Sequence, residues 1–432
     1  MNREEQGSRP SHYVRIDEDL CNGCVLCMKV CPTRAIRVKD GKVARIEGPC
    51  IDCGECIRVC PRGAVKAITT AYDCSRVSPH TVISVSPVLY AQFGEDVLPN
   101  DVLLALRRKF KYVYDQAYTN ELCNAATELY IMENREKEDA VWPLISPICP
   151  VVNRLIGYRF PSLLQNILPI ITAREIAARE LKRRLHNEKV FRTEEVGVYH
   201  VTPCSAKMIA IGKHMFLEAS HIDGALGINE VYDIVKRNLY KGASDSTLHR
   251  SSGVGMGWGM SGGEIAGLET GNHLAVSGIQ ETIRYLEKIE MGLLGDVEYV
   301  EFRACHEGCI GGPMTAVDSY QAKHTLQRLV RMYGVEKRVR HSQARKAYEE
   351  GWFFIDRKSV PEEFQSPRKS IREAIRRQEE VEKVHQLLPE KECGICGSPD
   401  CRTFAEDVVD GRNALENCVF YSKFKHKVEN RG

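Results

Sequence analysis

The chain has 432 residues and a formal net charge of +2, with 43% hydrophobic and 27% charged residues. These values are typical of a globular protein of about three domains. A net charge this close to zero argues against a protein that binds nucleic acid or a charged membrane surface. No apolar run reaches the ~18 residues of a membrane helix and the first residues carry no secretory signal, so we expect a cytoplasmic protein.

The 18 cysteines are the unusual feature of the composition. Clustered cysteines in a large intracellular chain indicate metal binding rather than disulfides. Their positions, together with the pattern of apolar residues, predict the domain organisation. We expect two cysteine runs in a domain over 1–77, an α/β domain over 78–355, a charged helical linker over 356–390 and a small cysteine domain over 391–432.

The first domain contains two copies of the unit Cys-x2-Cys-x2-Cys-x3-Cys-Pro, the pattern of a bacterial ferredoxin that holds two [4Fe–4S] clusters. In that pattern the fourth cysteine of each run binds the other cluster. The predicted ligands are Cys21, Cys24, Cys27 and Cys60 for cluster one, and Cys50, Cys53, Cys56 and Cys31 for cluster two. Two structural zinc sites are the alternative, but their Cys-x2-Cys pairs usually lie farther apart. A polar turn at 39–42 between apolar stretches predicts a hairpin.

The middle of the chain alternates apolar strand-like runs, at 81–85 and 195–199, with amphipathic helical stretches, at 173–185 and 279–290. Alternation of this kind indicates an α/β domain. The charged stretch at 370–388 predicts a solvated spacer helix.

Four cysteines of the middle domain lie in three loops that are rich in proline or glycine: Cys149, Cys204, Cys305 and Cys309. Four thiolates on dispersed loops could close one cubane between two lobes. The alternative is that these are unrelated buried cysteines. That interpretation suits many single cysteines, but it explains poorly why all four lie in such loops.

The three loops resemble, in order and spacing, the signature loops of the [FeFe]-hydrogenase family. This resemblance implies that the four cysteines bind a cubane, and that Cys309 bridges it to a diiron subcluster with CO, cyanide and dithiolate ligands. It implies that Lys207 hydrogen-bonds a cyanide, because an ammonium offers three donors to an anion. Ser86, Pro87 and Thr202 would border the diiron unit. The implied activity interconverts H2 with protons and electrons, with ferredoxin or a flavin or signalling protein as redox partner.

Four positions depart from the family pattern. Ile148 stands where active members carry a proton-relaying cysteine, and Thr202 and Arg303 stand where methionines are usual. Val88 replaces a small polar residue. We therefore expect slow turnover and a sensory or regulatory role, as in the family branches that carry a C-terminal cluster domain.

Other groups could move protons. Glu128 and Glu133 precede the first loop on a helical stretch, although solvated helix carboxylates are the simpler interpretation. His306 lies between two predicted ligands, and histidine titrates near neutral pH.

The last domain has the pattern Cys393-x2-Cys396-x4-Cys401-x16-Cys418 and resembles the small [4Fe–4S] module of corrinoid iron–sulfur proteins. A four-cysteine zinc site is the alternative. So short a domain needs a bound metal for stability. The chain would then hold four cubanes, and Cys74 and Cys123 would be packing residues.

Gly257–Gly262 matches a dinucleotide fingerprint, but no apolar strand precedes it, so we discount flavin or nicotinamide binding by this chain. The alternative functions are a non-catalytic relative without the diiron unit, such as a cluster-assembly factor, and a plain electron-transfer component of a larger complex. The sequence leaves a homo-oligomer open.

Overall fold

The computed structural model describes residues 12–39, 43–70, 80–187, 196–239, 246–355 and 371–421. They form two compact units. The larger unit takes the described residues of Met1–Tyr13, Ile51–Gly54 and Ala67–Pro361; the smaller takes those of Val14–Cys50, Glu55–Lys66 and Glu362–Gly432. Apart from Cys53, the two N-terminal cysteine runs and the C-terminal cysteines therefore lie in the same unit.

The N-terminal part of the smaller unit is built from short elements. In chain order they are β1 (Val14–Ile16), α1 (Leu26–Lys29), β2 (Ile36–Lys39), β3 (Val43–Ile46), α2 (Glu55–Val59) and β4 (Val65–Ala67). Strand β1 pairs with β4, and β2 pairs with β3 in antiparallel register. The antiparallel pair confirms the predicted hairpin, whose turn residues 40–42 lie outside the described residues. Met28 is fully buried in a small core that also contains Cys27 and Cys56.

The larger unit alternates strands and helices. In chain order they are β5 (His80–Val85), α3 (Pro99–Arg107), β6 (Tyr112–Asp115), α4 (Ala117–Arg135), β7 (Leu144–Ile145), α5 (Pro150–Arg159), α6 (Ala173–Asn187), β8 (Val196–Thr202), α7 (Ala206–Gly212), β9 (Gly224–Gly227), α8 (Ile228–Asn238), α9 (Gly253–Gly257), β10 (His273–Ser277), α10 (Ile279–Glu290), β11 (Tyr299–Arg303), α11 (Ser319–Tyr333) and α12 (His341–Glu349). The predicted strands and helices correspond to β5, β8, α6 and α10, and the α/β class is confirmed.

Two parallel sheets organise this unit. One has the strand order β6-β5-β8-β9 and the other β10-β11-β7. The inner strands β5, β8 and β11 are almost wholly buried, as expected for parallel sheets covered by helices on both faces. Separate hydrophobic cores surround the two sheets.

The C-terminal part of the smaller unit contains α13 (Ile371–Gln386) and α14 (Cys401–Val409), which pack together. The spacer helix predicted over 370–388 is therefore not solvated on all sides. Val381 is fully buried and Val384 and Leu388 join it in a core with Phe404. Val381 and Val384 lie three residues apart on one face of α13, and Leu388, two residues past its end, extends this apolar contact.

Candidate metal centre

All three central cysteine loops follow the carboxyl ends of parallel strands. Cys149 follows β7 and caps α5, Cys204 lies between β8 and α7, and Cys305 and Cys309 follow β11. Strands β7 and β11 are neighbours in one sheet, so the first and third loops leave the same edge. Loops beyond the carboxyl ends of strands are the usual ligand sites of open α/β sheets.

The structure brings the four central thiols together. Cys204 interacts electrostatically with Cys305, Cys149 and Cys309, and Cys149 interacts with Cys309. Burial, reinforced by the neighbouring thiols, raises the pKa of Cys204 and of Cys149. Four thiolates in so dry a site need a positively charged partner, and iron bound to thiolates provides one.

A cubane and a single metal ion require different arrangements of their ligands. Among the residues that the structure describes, no group of three or more His, Cys, Asp or Glu side chains is placed to hold one metal ion. A cubane takes one thiolate on each of four irons, so its ligands surround the cluster and do not meet at one point.

Lys207 is a buried cation beside these thiols. Its side chain is only 8% exposed, and burial lowers its pKa while the charge of Cys309 opposes that change. Its Nζ lies 3.5 Å from Nε2 of His200. Burial, then the charges of Lys207 and Arg174, lower the pKa of His200 well below its usual range, so the imidazole stays neutral. A neutral ring nitrogen can accept a hydrogen bond from the ammonium and so orient it.

Arg174 is a second buried cation, and the sequence did not single it out. It is 4% exposed and donates from Nη1 to the carbonyl oxygen of Ile148 at 3.2 Å. Its Nε is buried without a partner in the described part of the chain. It interacts electrostatically with Cys149, Cys204 and Cys309. The signal in the sequence is an arginine in the first turn of a helix whose same face continues with the buried Ala177 and Ala178.

A buried polar network supports the first and third loops. Ser146 Oγ donates to Glu264 at 2.9 Å, and Tyr299 Oη donates to the same carboxylate at 2.5 Å. Arg303 lies 2.8 Å from Glu264 and 3.4 Å from Glu301. The arginine that replaces the usual methionine is thus neutralised by two carboxylates. Glu264 and Glu301 were missed because nothing in the sequence distinguishes a buried carboxylate from a solvated one.

The predicted border of the diiron unit has defined structural roles. Ser86 accepts a hydrogen bond from Val88 N at 3.4 Å and so caps the short helix that begins at Pro87. Thr202 Oγ1 accepts from Cys204 N and donates to Cys204 O, both at 3.1 Å, which braces the second loop. All of these side chains are buried.

The predicted proton carriers lie apart from this network. Glu128 is buried, accepts from Glu269 N at 2.9 Å and lies 3.6 Å from Lys337. His306 is exposed, and its ring makes a T-shaped contact with that of Tyr320. None of the contacts described for Glu128 and His306 is with one of the four central thiols.

Glu133 accepts a hydrogen bond from Tyr348 at 2.6 Å and pairs with Lys137 at 3.2 Å, near the surface end of α4. The glycine-rich stretch at 257–262 follows the helix α9 and not a strand. Instead it packs on the third loop, where Ile310 N donates to Gly259 O at 3.0 Å. Cys123 is buried in a hydrophobic core, and Cys74 lies outside the described residues.

The segment Ile51–Gly54 carries Cys53 into the larger unit. Ser205 Oγ donates to Asp52 O at 3.2 Å, so this segment is joined to the residue after Cys204. Gly54 has φ +77°, and a Cβ there would lie 2.5 Å from Cγ of Pro313. Cys53 and Cys204 share one hydrophobic core. The segment therefore lies directly against the second and third cysteine loops.

In the smaller unit, one cavity is lined by the four cysteines predicted for cluster one. Burial, then the charges of Cys21, Cys24 and Cys60, raise the pKa of Cys27 to about 11. Burial and the charges of Cys31 and Cys27 raise the pKa of Cys56 to about 12. Thiols from the two sequence runs thus lie close to one another in this unit.

A second cavity of the smaller unit is lined by the four C-terminal cysteines. Burial raises the pKa of Cys396, and the charges of Cys418, Cys393 and Cys401 add to the effect. Phe404 lies on the same cavity, so α14 does pack behind it.

Family models match three parts of the chain. Residues 13–61 match a 4Fe-4S dicluster domain, residues 79–270 match the C-terminal domain of the iron only hydrogenase large subunit, and residues 388–420 match an Fe-S cluster family. Two structures of [FeFe]-hydrogenase HydA1 variants from Chlamydomonas reinhardtii are similar in fold. Each is 16% identical and has a TM-score of 0.50 over 65% of this chain and 91% of the other.

Curated relatives match over short stretches. The B subunit of the ion-translocating oxidoreductase complex from Cronobacter sakazakii is 44% identical over 39 residues, and that from Klebsiella pneumoniae is 41% identical over 50 residues. The chain spans only 20% and 26% of the length of these proteins. The matched stretches make up 9% and 12% of this chain. No described helix is long and apolar enough to cross a bilayer.

The chain is therefore similar to the C-terminal domain of an iron only hydrogenase large subunit over residues 79–270, and it has the fold of the [FeFe]-hydrogenase structures there. A 4Fe-4S dicluster domain matches before this part and an Fe-S cluster family matches after it.

Proposed function

We propose that the protein binds H2 or slowly interconverts it with protons and electrons, in a sensory or regulatory role. The observation that carries this proposal is the meeting of four thiols from three loops beside two buried cations. In this proposal, a cubane would be held by Cys149, Cys204, Cys305 and Cys309, and Cys309 would also hold a diiron subcluster with CO, cyanide and dithiolate ligands.

The residues around the thiols fit such a group. Cyanide ligands carry negative charge, and Lys207 and the free Nε of Arg174 are donors in a dry site where charge-assisted hydrogen bonds are strong. When bound, the diiron unit supplies the place where H2 is split or formed. The protein fixes its orientation, excludes water and connects it to electron and proton carriers.

Slow turnover is proposed because of Ile148. Its backbone N lies 3.4 Å from Ser146 Oγ and its side chain packs in a hydrophobic core. A hydrocarbon side chain cannot accept or release a proton, so the direct relay next to the first thiol is missing. Positioned proton transfer contributes ~10²–10⁴-fold to a rate.

Electrons would reach the central cubane through the segment Ile51–Gly54. Cys53, a predicted ligand of cluster two, is connected through Asp52 O and Ser205 Oγ to Cys204. Short chains of covalent and hydrogen bonds between thiolate ligands suit single-electron exchange.

Infrared spectroscopy of anaerobic protein, after a diiron precursor with CO and cyanide ligands has been supplied, tests the proposal. Protein-bound CO and cyanide bands that shift under H2 are expected. If four intact cubanes are present without such bands, the hydrogenase proposal fails, and the protein is a non-catalytic electron-transfer or assembly relative. A hydrogenase rate equal to that of standard enzymes would contradict the slow, regulatory role.

A further inference from the structure

Within the smaller unit, a buried ion pair joins the N-terminal cysteine runs to the C-terminal cysteine domain. Arg37 is 3% exposed and Asp407 is fully buried. Nε and Nη2 of Arg37 donate to the two carboxylate oxygens at 2.6 and 3.1 Å, and Ser398 Oγ donates to the same group at 2.8 Å. A two-point arginine–carboxylate contact fixes both distance and orientation.

Further contacts surround this pair. Val38 N donates to Gly397 O at 3.0 Å, and Gly397 has φ +84° at a point where a Cβ would collide with Val38 O, so only glycine fits. Lys29 Nζ donates to the carbonyl oxygens of Pro399, at 2.6 Å, and of Glu392. These backbone contacts need a close, specific fit between the two parts.

The contacts fall on the loops that carry the predicted ligands. Met28 and Lys29 lie between Cys27 and Cys31, and Gly394 lies between Cys393 and Cys396. A Cβ on Gly394 would lie 2.9 Å from Cε of Met28. Met28 is fully buried in the core that also contains Cys27 and Cys56. A ligand loop of the C-terminal domain therefore touches the helix α1, which carries Cys27, one of the predicted ligands of the N-terminal pair.

We propose that the C-terminal cluster exchanges electrons directly with the N-terminal dicluster, so that both ends of the chain form one relay of three clusters. In each exchange a reduced cubane gives one electron to an oxidised neighbour; no bond is made or broken, and no proton moves. The inference rests on the cluster ligands assigned above, and it does not need the diiron unit.

The test is electron paramagnetic resonance of the full chain with its four cubanes, reduced anaerobically with dithionite. We expect the reduced C-terminal cluster to broaden the signals of the N-terminal clusters and to speed their relaxation. The double variant Cys393→Ala/Cys396→Ala should lose this effect. N-terminal signals that are the same with and without the C-terminal cluster would overturn the proposal.

A second pair of variants keeps all ligands. Asp407→Leu leaves Arg37 buried without its partner, so the contact should open and the interaction between spins should be lost. Arg37→Met combined with Asp407→Leu should restore it, because apolar residues can replace a buried ion pair. An interaction that persists at full strength in Asp407→Leu would contradict the role of this contact.

The matched control is Arg377→Met. Arg377 pairs with Asp410 at 3.0 and 2.9 Å within the C-terminal part alone, at a more exposed position. This variant should keep the spin interaction. The hydrogenase proposal fails separately: missing CO and cyanide bands with an intact spin interaction reject that proposal only.

Discussion

Replacing Arg303 by methionine should destabilise this protein. Arg303, Glu264 and Glu301 are each at most 1% exposed, and Arg303 is the cation that faces both carboxylates. Removing one partner of a buried ion pair costs about 3–5 kcal/mol because the remaining charge is stranded. Arg303→Met strands two carboxylates, so we expect a loss at the upper end of that range near pH 8.

The loss should depend on pH in a defined direction. Burial raises the pKa of Glu301 to about 7 even with Arg303 present, and removal of the guanidinium should raise it further. A carboxyl whose pKa is higher in the folded state stabilises the fold at low pH and loses that contribution as pH rises through the folded-state value. The defect of Arg303→Met should therefore be largest at pH 8 and smaller at pH 6, where more of Glu301 is protonated.

Anaerobic urea unfolding, followed by tryptophan fluorescence at both pH values, measures these differences. Arg284→Met is the control, since its pair with Glu281 is solvent-exposed and such pairs contribute about 0–1 kcal/mol. The reasoning is refuted if Arg303→Met loses no more stability than this control, or if its defect grows as the pH falls.

Three further variants test the site. Ile148→Cys should raise the H2 evolution rate with a reduced viologen by ~10²–10⁴-fold, and an unchanged rate would show that the missing relay does not limit turnover. Arg174→Gln should shift the cyanide bands of the loaded protein in the infrared, whereas Arg179→Gln on the same helix should not; equal shifts would deny Arg174 a specific contact. Ser205→Ala removes the hydrogen bond to Asp52 O, so stepwise reduction should reach the central cubane more slowly while its redox potential is unchanged, and an unchanged rate would exclude this path.

The elements that could be predicted from the sequence depend on local spacing. The cysteine runs, the hairpin of β2 and β3, and the helix α10 follow from patterns within one short stretch. That the three central loops form one site could be predicted only from their resemblance to a family, because no local sequence pattern indicates that Cys149 and Cys309 lie close together.

The features that the sequence did not reveal depend on distant partners. Arg37 and Asp407 are 370 residues apart, and each looks like an ordinary surface charge in its own stretch. The apolar residues Val381, Val384 and Leu388 were not recognised as packing residues because most of the residues around them in the sequence are charged or polar. Arg174 and Glu264 were missed for the same reason: burial of a charge is decided by tertiary packing.

The separation of Arg37 and Asp407 along the chain also sets an order of events during synthesis. At ~5–20 residues per second, Arg37 leaves the ribosome roughly 20 to 70 s before its partner. During that interval its guanidinium can reach only water and the nearby carbonyl oxygens of Arg34 and Ile36, and the first two cysteine runs are without the C-terminal half of their unit. Closure of the smaller unit is thus a late step, completed after the whole larger unit has been translated.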